Sequence, residues 1–293
     1  MVFLLVHFAP GDPAAIIAGD NATADQIAAI RNRLGLDLPL PIQFIRWISA
    51  VAQGDLGTSI FSGMPVLDLI EQRIWPTMSL SLTTIGFAIL LGVGSGVLAS
   101  AKVDTLLDRL IMAASVFGFS MPTFVVGYGL VYLFSIELKI LPVQGYVPLA
   151  DGVAEWLGHL ILPSVTLGFA YIALLARITR MSMLEVLSED FIRTARAKGV
   201  AEFRIVVRHG LKNAGIPIVT VIGIGVAFLI GGVVITETVF NIPGVGRLVF
   251  DAISKRDYPI IQGVTLVFSG IYVLVNLAVD LSYTIIDPRI GYR

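Results

Sequence analysis

Asp280 and Asn276 stand one helical turn apart in an apolar stretch near the C-terminus. A carboxylate and an amide on one helix face can meet an amine or pass a proton, and an ionisable group inside a membrane usually has such work. Thr236 and Glu237 close an earlier apolar stretch, and Ser120, Thr123 and Tyr128 fall within another. All seven are groups that recognise or conduct. The plainer reading of Asp280 is a carboxylate near the cytoplasmic interface, paired or hydrated. His7, His159 and His209 are scattered, without the spacing of metal ligands, and no cysteine occurs, which excludes thiolate metal sites, disulfides and a cysteine nucleophile. The phosphate-cradling GxxxxGK[ST] pattern is missing. Asn241-Ile-Pro-Gly-Val-Gly-Arg247 imitates it only in glycine content, and its glycines are expected to permit a tight turn outside the membrane. With no convergent nucleophile, base or metal cluster, the residues do not read as those of an enzyme.

The elements that would position these groups follow from composition. The 293 residues are 56% hydrophobic and 14% charged, with a mean hydropathy of +0.87. Soluble domains carry about a quarter charged residues, so this is an all-α polytopic membrane protein embedded in a lipid bilayer. A formal net charge of −1 implies no nucleic-acid partner. Hydropathy places five complete spans near Met78–Ala101, Ile111–Ile136, Leu160–Met181, Ile216–Thr236 and Ile260–Ile286. Pro122 in the second and Pro163 at the head of the third are expected to kink or start helices. Small residues such as Gly92, Gly94, Gly96, Gly223 and Gly225 allow close helix approach where lipid offers no hydrophobic drive.

Arg177, Arg180, Arg193, Arg196, Lys198, Arg204, Arg208 and Lys212 gather around the connection between the third and fourth spans, which makes that connection cytoplasmic. Alternation then puts Lys102–Arg109 and the tail 287–293 inside, and Glu137–His159 and Glu237–Pro259 outside.

The N-terminal run Met1–Ala9 stops at Pro10-Gly11-Asp12-Pro13, short of the ~20 residues a span needs, and reads as a truncated first helix. Residues 11–75 then form an extracytoplasmic amphipathic insert. Thr23 and Gln26 have capping-box spacing ahead of Ile27, Ile30 and Leu34, with Gly35 as the stop. Pro41 opens a second helix with Ile45, Ile48 and Val51 on one side, and Pro65 opens a third reaching Arg73. The domain reading is 1–75, then a membrane domain 76–286 with a charged loop at 185–217, then the tail 287–293.

That loop carries the most complete helix signals in the chain. Ser188 is expected to cap a helix whose first turn holds Glu189 and Asp190 and whose end holds Arg193, Arg196, Lys198 and the stop Gly199. Phe191, Ile192 and Ala195 share one face, and Phe203, Val206 and Val207 repeat the pattern. Such faces outside a membrane need a covering partner.

Ser188–Thr220 resembles the SEDYxRTARAKG…RHxLRNAxIPVVT pattern of the peptide and nickel branch of the binding-protein-dependent ABC importer permeases. Ala195, Gly199 and Leu211 also meet the family's general loop pattern, whereas Arg193, Thr194 and Lys212 match only this branch. Further motifs stand in family order: PGDPA at Pro10–Ala14, LGLD and GDLGTS within Leu34–Ser59, ETVFNIPGVGR at Glu237–Arg247, RDYPIIQG at Arg256–Gly263, and DPRI at Asp287–Ile290. The resemblance implies a type I ABC importer transmembrane domain in a bacterial or archaeal cytoplasmic membrane. It implies as partners a homologous second permease, two ATPase subunits and an extracytoplasmic substrate-binding protein, with ATP and Mg on the partners and no cofactor on this chain. It further implies that Glu189, Asp190, Phe191, Ile192, Arg193, Thr194, Ala195, Arg196, Lys198 and Gly199 dock into an ATPase groove. Di- and oligopeptides, with glutathione among them, are the implied cargo. A nickel complex is the alternative within the family, and a stand-alone proton-coupled carrier using Asp280 or Glu237 is the alternative outside it.

Overall fold

The structure, a computed structural model, describes residues 2–4, 12–18, 22–33 and 35–286. Among them the regular structure is helical, with one isolated bridge between Thr58 and Pro65. In chain order the helices are α1 (Pro13–Ala18), α2 (Ala24–Arg33), α3 (Leu40–Ala52), α4 (Val66–Ala101), α5 (Leu106–Ser120), α6 (Thr123–Glu137), α7 (Val153–Leu187), α8 (Asp190–Ala197), α9 (Glu202–Leu211), α10 (Gly215–Val239), α11 (Val245–Lys255) and α12 (Tyr258–Ile286). Most of the expected first helix Met1–Ala9, with His7, lies outside the described residues, as do Pro10 and Gly11, Leu34 and the tail 287–293. Val2–Leu4 form a single 3-10 turn.

Among the described residues three helices, α4, α7 and the Tyr258–Tyr283 part of α12, are long and apolar enough to cross a membrane. The pairs α5 with α6 and α9 with the start of α10 qualify only together, bent by 113° and 59°, so five crossings result if each pair counts as one. The larger bend has the expected cause. A residue before proline is pushed out of the helical region, and Met121 sits at φ −93°, ψ 129° ahead of Pro122, which in turn opens α6.

Two span boundaries differ from expectation. The helix expected to open at Pro65 does not end at Arg73 but continues through the first span as the 36-residue α4. The third span is the interior of a 35-residue helix that starts at Val153, so Pro163 neither begins it nor breaks it. Neighbouring helices can re-satisfy the backbone around a buried proline. At 1.5 Å per residue α7 is about 52 Å long against about 30 Å of hydrocarbon, so it projects well beyond the apolar layer.

The chain divides into two compact units. The first comprises residues 1–75 and 244–270. Its apolar core joins Val66, Leu69 and Ile70 of α4 to Val245, Leu248 and Ala252 of α11 and Ile260 and Val264 of α12. Ser59 of the GDLGTS stretch donates its hydroxyl to the buried Asp257 carboxylate at 2.6 Å, and the Ile60 N–H donates to its other oxygen at 3.2 Å. Two motifs far apart in sequence thus make one joint. The capping box of α2 forms as expected, with the Thr23 N–H on Gln26 Oε1 at 2.9 Å and the Gln26 N–H on Thr23 Oγ1 at 3.4 Å.

The second unit comprises residues 76–243 and 271–293 and is built around α7, the most buried of the long helices. α4 meets it through Gly92 and Gly96. A Cβ at Gly92 would lie 2.7 Å from Leu175 Cβ, and one at Gly96 would lie 2.6 Å from the Ala176 carbonyl oxygen. No side chain fits there, which is the small-residue packing that membrane helices use.

Candidate coupling segment and polar positions

α7 ends by delivering the charged segment. Because α7 runs to Leu187, Ser188 is its C-terminal cap, with its hydroxyl on the Glu185 carbonyl at 2.7 Å. The N-cap position of α8 passes to Glu189, in extended conformation at φ −68°, ψ 151°. This corrects the expectation that Ser188 opens the helix. The far end is as expected: Gly199 takes φ +74°, its N–H bonds the Arg196 carbonyl at 3.0 Å, and the Val200 N–H bonds the Ala195 carbonyl at 3.2 Å. That double closure is a Schellman motif, in which glycine avoids the Cβ penalty. Arg196 then reaches across the turn to Glu202, Nη2 to Oε1 at 2.6 Å, which fastens α8 to α9. The Glu202 carboxylate raises the already high pKa of Arg196.

The apolar faces divide in a way the spacing does not reveal. Ile192 is 0% exposed and Ala195 half-buried, while Phe191 points outward. On α9, Ile205 and Val206 are buried, whereas Phe203 is 81% exposed and Val207 is also exposed. Val206 belongs with Met183 of α7 and Ala214 and Ile218 at the start of α10 in one apolar cluster. Ile192, with no exposed surface, is likewise part of the chain's own packing. Phe191, Phe203 and Val207 remain exposed, in a segment where Asp190, Arg193, Thr194, Arg196 and Lys198 are exposed as well. Arg193 pairs with Asp190 at 3.3 Å within α8, and the Thr194 hydroxyl returns to the Asp190 carbonyl at 3.0 Å.

The expected pathway residues fall in three places. Ser120 and Thr123 flank the Pro122 break, Ser120 exposed with its hydroxyl on the Val116 carbonyl, Thr123 half-buried, and Tyr128 follows, exposed on α6. Thr236 and Glu237 are fully buried at the end of α10, where Glu237 accepts the Thr77 hydroxyl at 2.6 Å. Asn276 is half-buried and Asp280 exposed on α12. The turn after α10 also departs from expectation. Its left-handed residue is Asn241 at φ +52°, not a glycine; Gly244 is extended at φ −97° and Gly246 lies inside α11.

The spacing-based reading missed two groups. One is a pair of hydroxyl contacts from α4, Ser79 to the Tyr146 hydroxyl at 3.1 Å and Thr83 to Ser164 at 2.6 Å. The other is an ion pair between Asp108 at the start of α5 and Arg180 near the end of α7. Arg180 Nε lies 2.6 Å from Oδ1 and Nη2 2.7 Å from Oδ2. Thr105-x-x-Asp108 is a capping-box spacing ahead of an apolar run, which marks Asp108 in the sequence but cannot show its partner.

Residues 88–292 match the family described as binding-protein-dependent transport system inner membrane component, and residues 1–81 match the N-terminal region of binding-protein-dependent transport system membrane components. A probable peptide ABC transporter permease, y4tP of Sinorhizobium fredii (strain NBRC 101917 / NGR234), is 58% identical over 99% of this chain and 93% of its own length. The glutathione transport system permease GsiC is 48% identical in Salmonella paratyphi A and in Escherichia coli K12, over 100% of this chain and 93% of each relative. Two inward-facing structures of the MetNI methionine ABC transporter share the fold, with TM-scores of 0.58 and 0.60 at 18% and 17% identity. They cover 75% and 74% of this chain and 97% and 96% of their own. Helix content, span pattern and matches that reach from residue 1 to residue 292 agree, and the chain belongs to the binding-protein-dependent transport system inner membrane components, the permease subunits of ABC importers.

Proposed function

We propose that this permease translocates di- and oligopeptides, glutathione among them, and that α8 with the start of α9 is the surface by which ATPase subunits drive it. The observation that carries the coupling assignment is the division of the apolar faces: Ile192 and Val206 anchor the segment on the chain, while Phe191, Phe203 and Val207 stand outward among charges. A buried apolar centre with a charged rim is the ordinary anatomy of a protein interface. The Schellman closure and the Arg196–Glu202 bridge link α8 to α9, and Val206 of α9 shares an apolar cluster with Met183 of α7, so that a push on the segment reaches α7. ATP and Mg belong to the partners, and the full assembly would hold a second permease, two ATPase subunits and an extracytoplasmic binding protein.

The cargo reading rests on the relatives, which are named for peptide and glutathione transport. Neither nickel-complex import nor a stand-alone proton-coupled carrier is favoured by these relatives. Calorimetry on the cognate binding protein, with dialanine, glutathione and a nickel chelate side by side, decides the cargo. Heat with dialanine or glutathione is expected, and heat with the nickel chelate alone would overturn the peptide reading.

A further inference from the structure

We propose that the Asp108–Arg180 ion pair is a positioning joint that keeps α5, and through it the Pro122 break and α6, moving with α7 when the coupling segment is driven. The inference rests on the coupling reading of α8 and α9. On α7, Arg180 lies one turn before Met183, which shares an apolar cluster with Val206 of α9 and would lie 2.8 Å, at Cε, from a Cβ at Gly210, so α9 meets α7 beside this arginine. On its other side Arg180 grips Asp108 through two nitrogens, at 2.6 and 2.7 Å. The Asp108 side chain is 4% exposed and takes a third donor, the N–H of Asp104 at 3.1 Å, from a residue held at φ +60°. A fork-to-carboxylate contact fixes direction as well as distance. Apolar contacts between packed helices permit shifts of 1–2 Å, of the order by which such helices slide past one another, and an ion pair of this geometry resists them. Its worth is in register more than in stability, because a buried pair roughly repays its own desolvation.

The test separates register from stability. Removing one partner strands a buried charge and destabilises the chain, whereas Asp108→Asn combined with Arg180→Met removes both charges and restores most of the stability. The chain has no native cysteine, so Leu110→Cys and Met181→Cys, both at exposed positions, take spin labels cleanly. In the complete importer the wild-type label distance is expected to be the same with and without ATP and vanadate. In the double variant it is expected to change by about 2 Å, the size of an ordinary slide between packed helices, on adding ATP and vanadate. Cargo moved per ATP hydrolysed is expected to fall about tenfold in the double variant, within the usual range of coupling between sites. Arg180→Lys, which keeps the charge but loses the two-nitrogen fork, is expected to fall between wild type and the double variant in both readouts. Wild-type distances and a wild-type transport ratio in the double variant would overturn the joint, as would losses that merely follow the thermal midpoint across the series. The docking reading is judged apart, by whether Phe203→Asp loses its ATPase subunits, so the two can fail separately.

Discussion

Phe203 and Ile192 have similar apolar character and lie eleven residues apart in one charged segment, yet the structure gives them opposite situations. Phe203 is 81% exposed and Ile192 is 0% exposed. Phe203→Asp is therefore expected to change folding stability by no more than about 0.5 kcal/mol, as for surface substitutions generally, while greatly reducing the ATPase subunits that copurify with the permease. Ile192→Ala is expected to do the reverse, costing about 2–5 kcal/mol as buried truncations do, with docking altered only as far as the fold is. Thermal midpoint and copurification, measured on both variants, check the pair. Gly199 makes a finer case. Nothing lies within 4 Å of an added Cβ, so Gly199→Ala tests backbone conformation alone and is expected to cost about 1–2 kcal/mol for the left-handed φ. A three- and four-residue spacing identifies an amphipathic helix but cannot say which of two adjacent apolar residues turns inward. Phe191 and Ile192 were therefore indistinguishable until α9 was in place.

At the scale of elements, the contacts of α7 decide the membrane unit. Gly96→Val would drive a side chain into the Ala176 backbone carbonyl, and is expected to destabilise by about 1–3 kcal/mol, the range for overpacking. Gly129→Val, with open space around its Cβ, is the matched control and is expected to be neutral by the same thermal measurement. What was legible in the sequence at this scale was local. The Thr23/Gln26 capping box, the Pro122 break and the Gly199 stop each act on their own neighbours through one or two dihedrals or hydrogen bonds. What was not legible needed a distant partner. The ends of α7 look polar, with Glu155 and His159 before the apolar run and Glu185 after it, because a helix that outruns the membrane has wet ends. Pro65 opened a span and not a short cap helix, since Val66, Leu69 and Ile70 find their core on α11 and α12, far along the chain. Asp108 likewise announced itself only as a helix cap, its arginine being 72 residues away.

At the scale of the whole molecule, the chain has exposed apolar residues on α8 and α9 and a membrane unit packed on one long helix, and it belongs to a family of binding-protein-dependent transport components. The seven polar positions picked from the apolar stretches do not form one site within the chain. Thr236 and Glu237 are enclosed, while Ser120, Tyr128 and Asp280 lie at the chain's surface. A pathway assembled between two homologous permeases would have this appearance in one of them, and the cargo-contacting set is then expected to include residues of both. The most direct test of the account is ATP-dependent uptake into proteoliposomes that hold the complete importer and its loaded binding protein, comparing wild type with Phe203→Asp. The account predicts accumulation in the wild type only when the ATPase subunits and ATP are present, and at least about a tenfold loss in the variant, as severed coupling between sites implies. Uptake by the permease without any ATPase subunit, or wild-type uptake by Phe203→Asp, would contradict it.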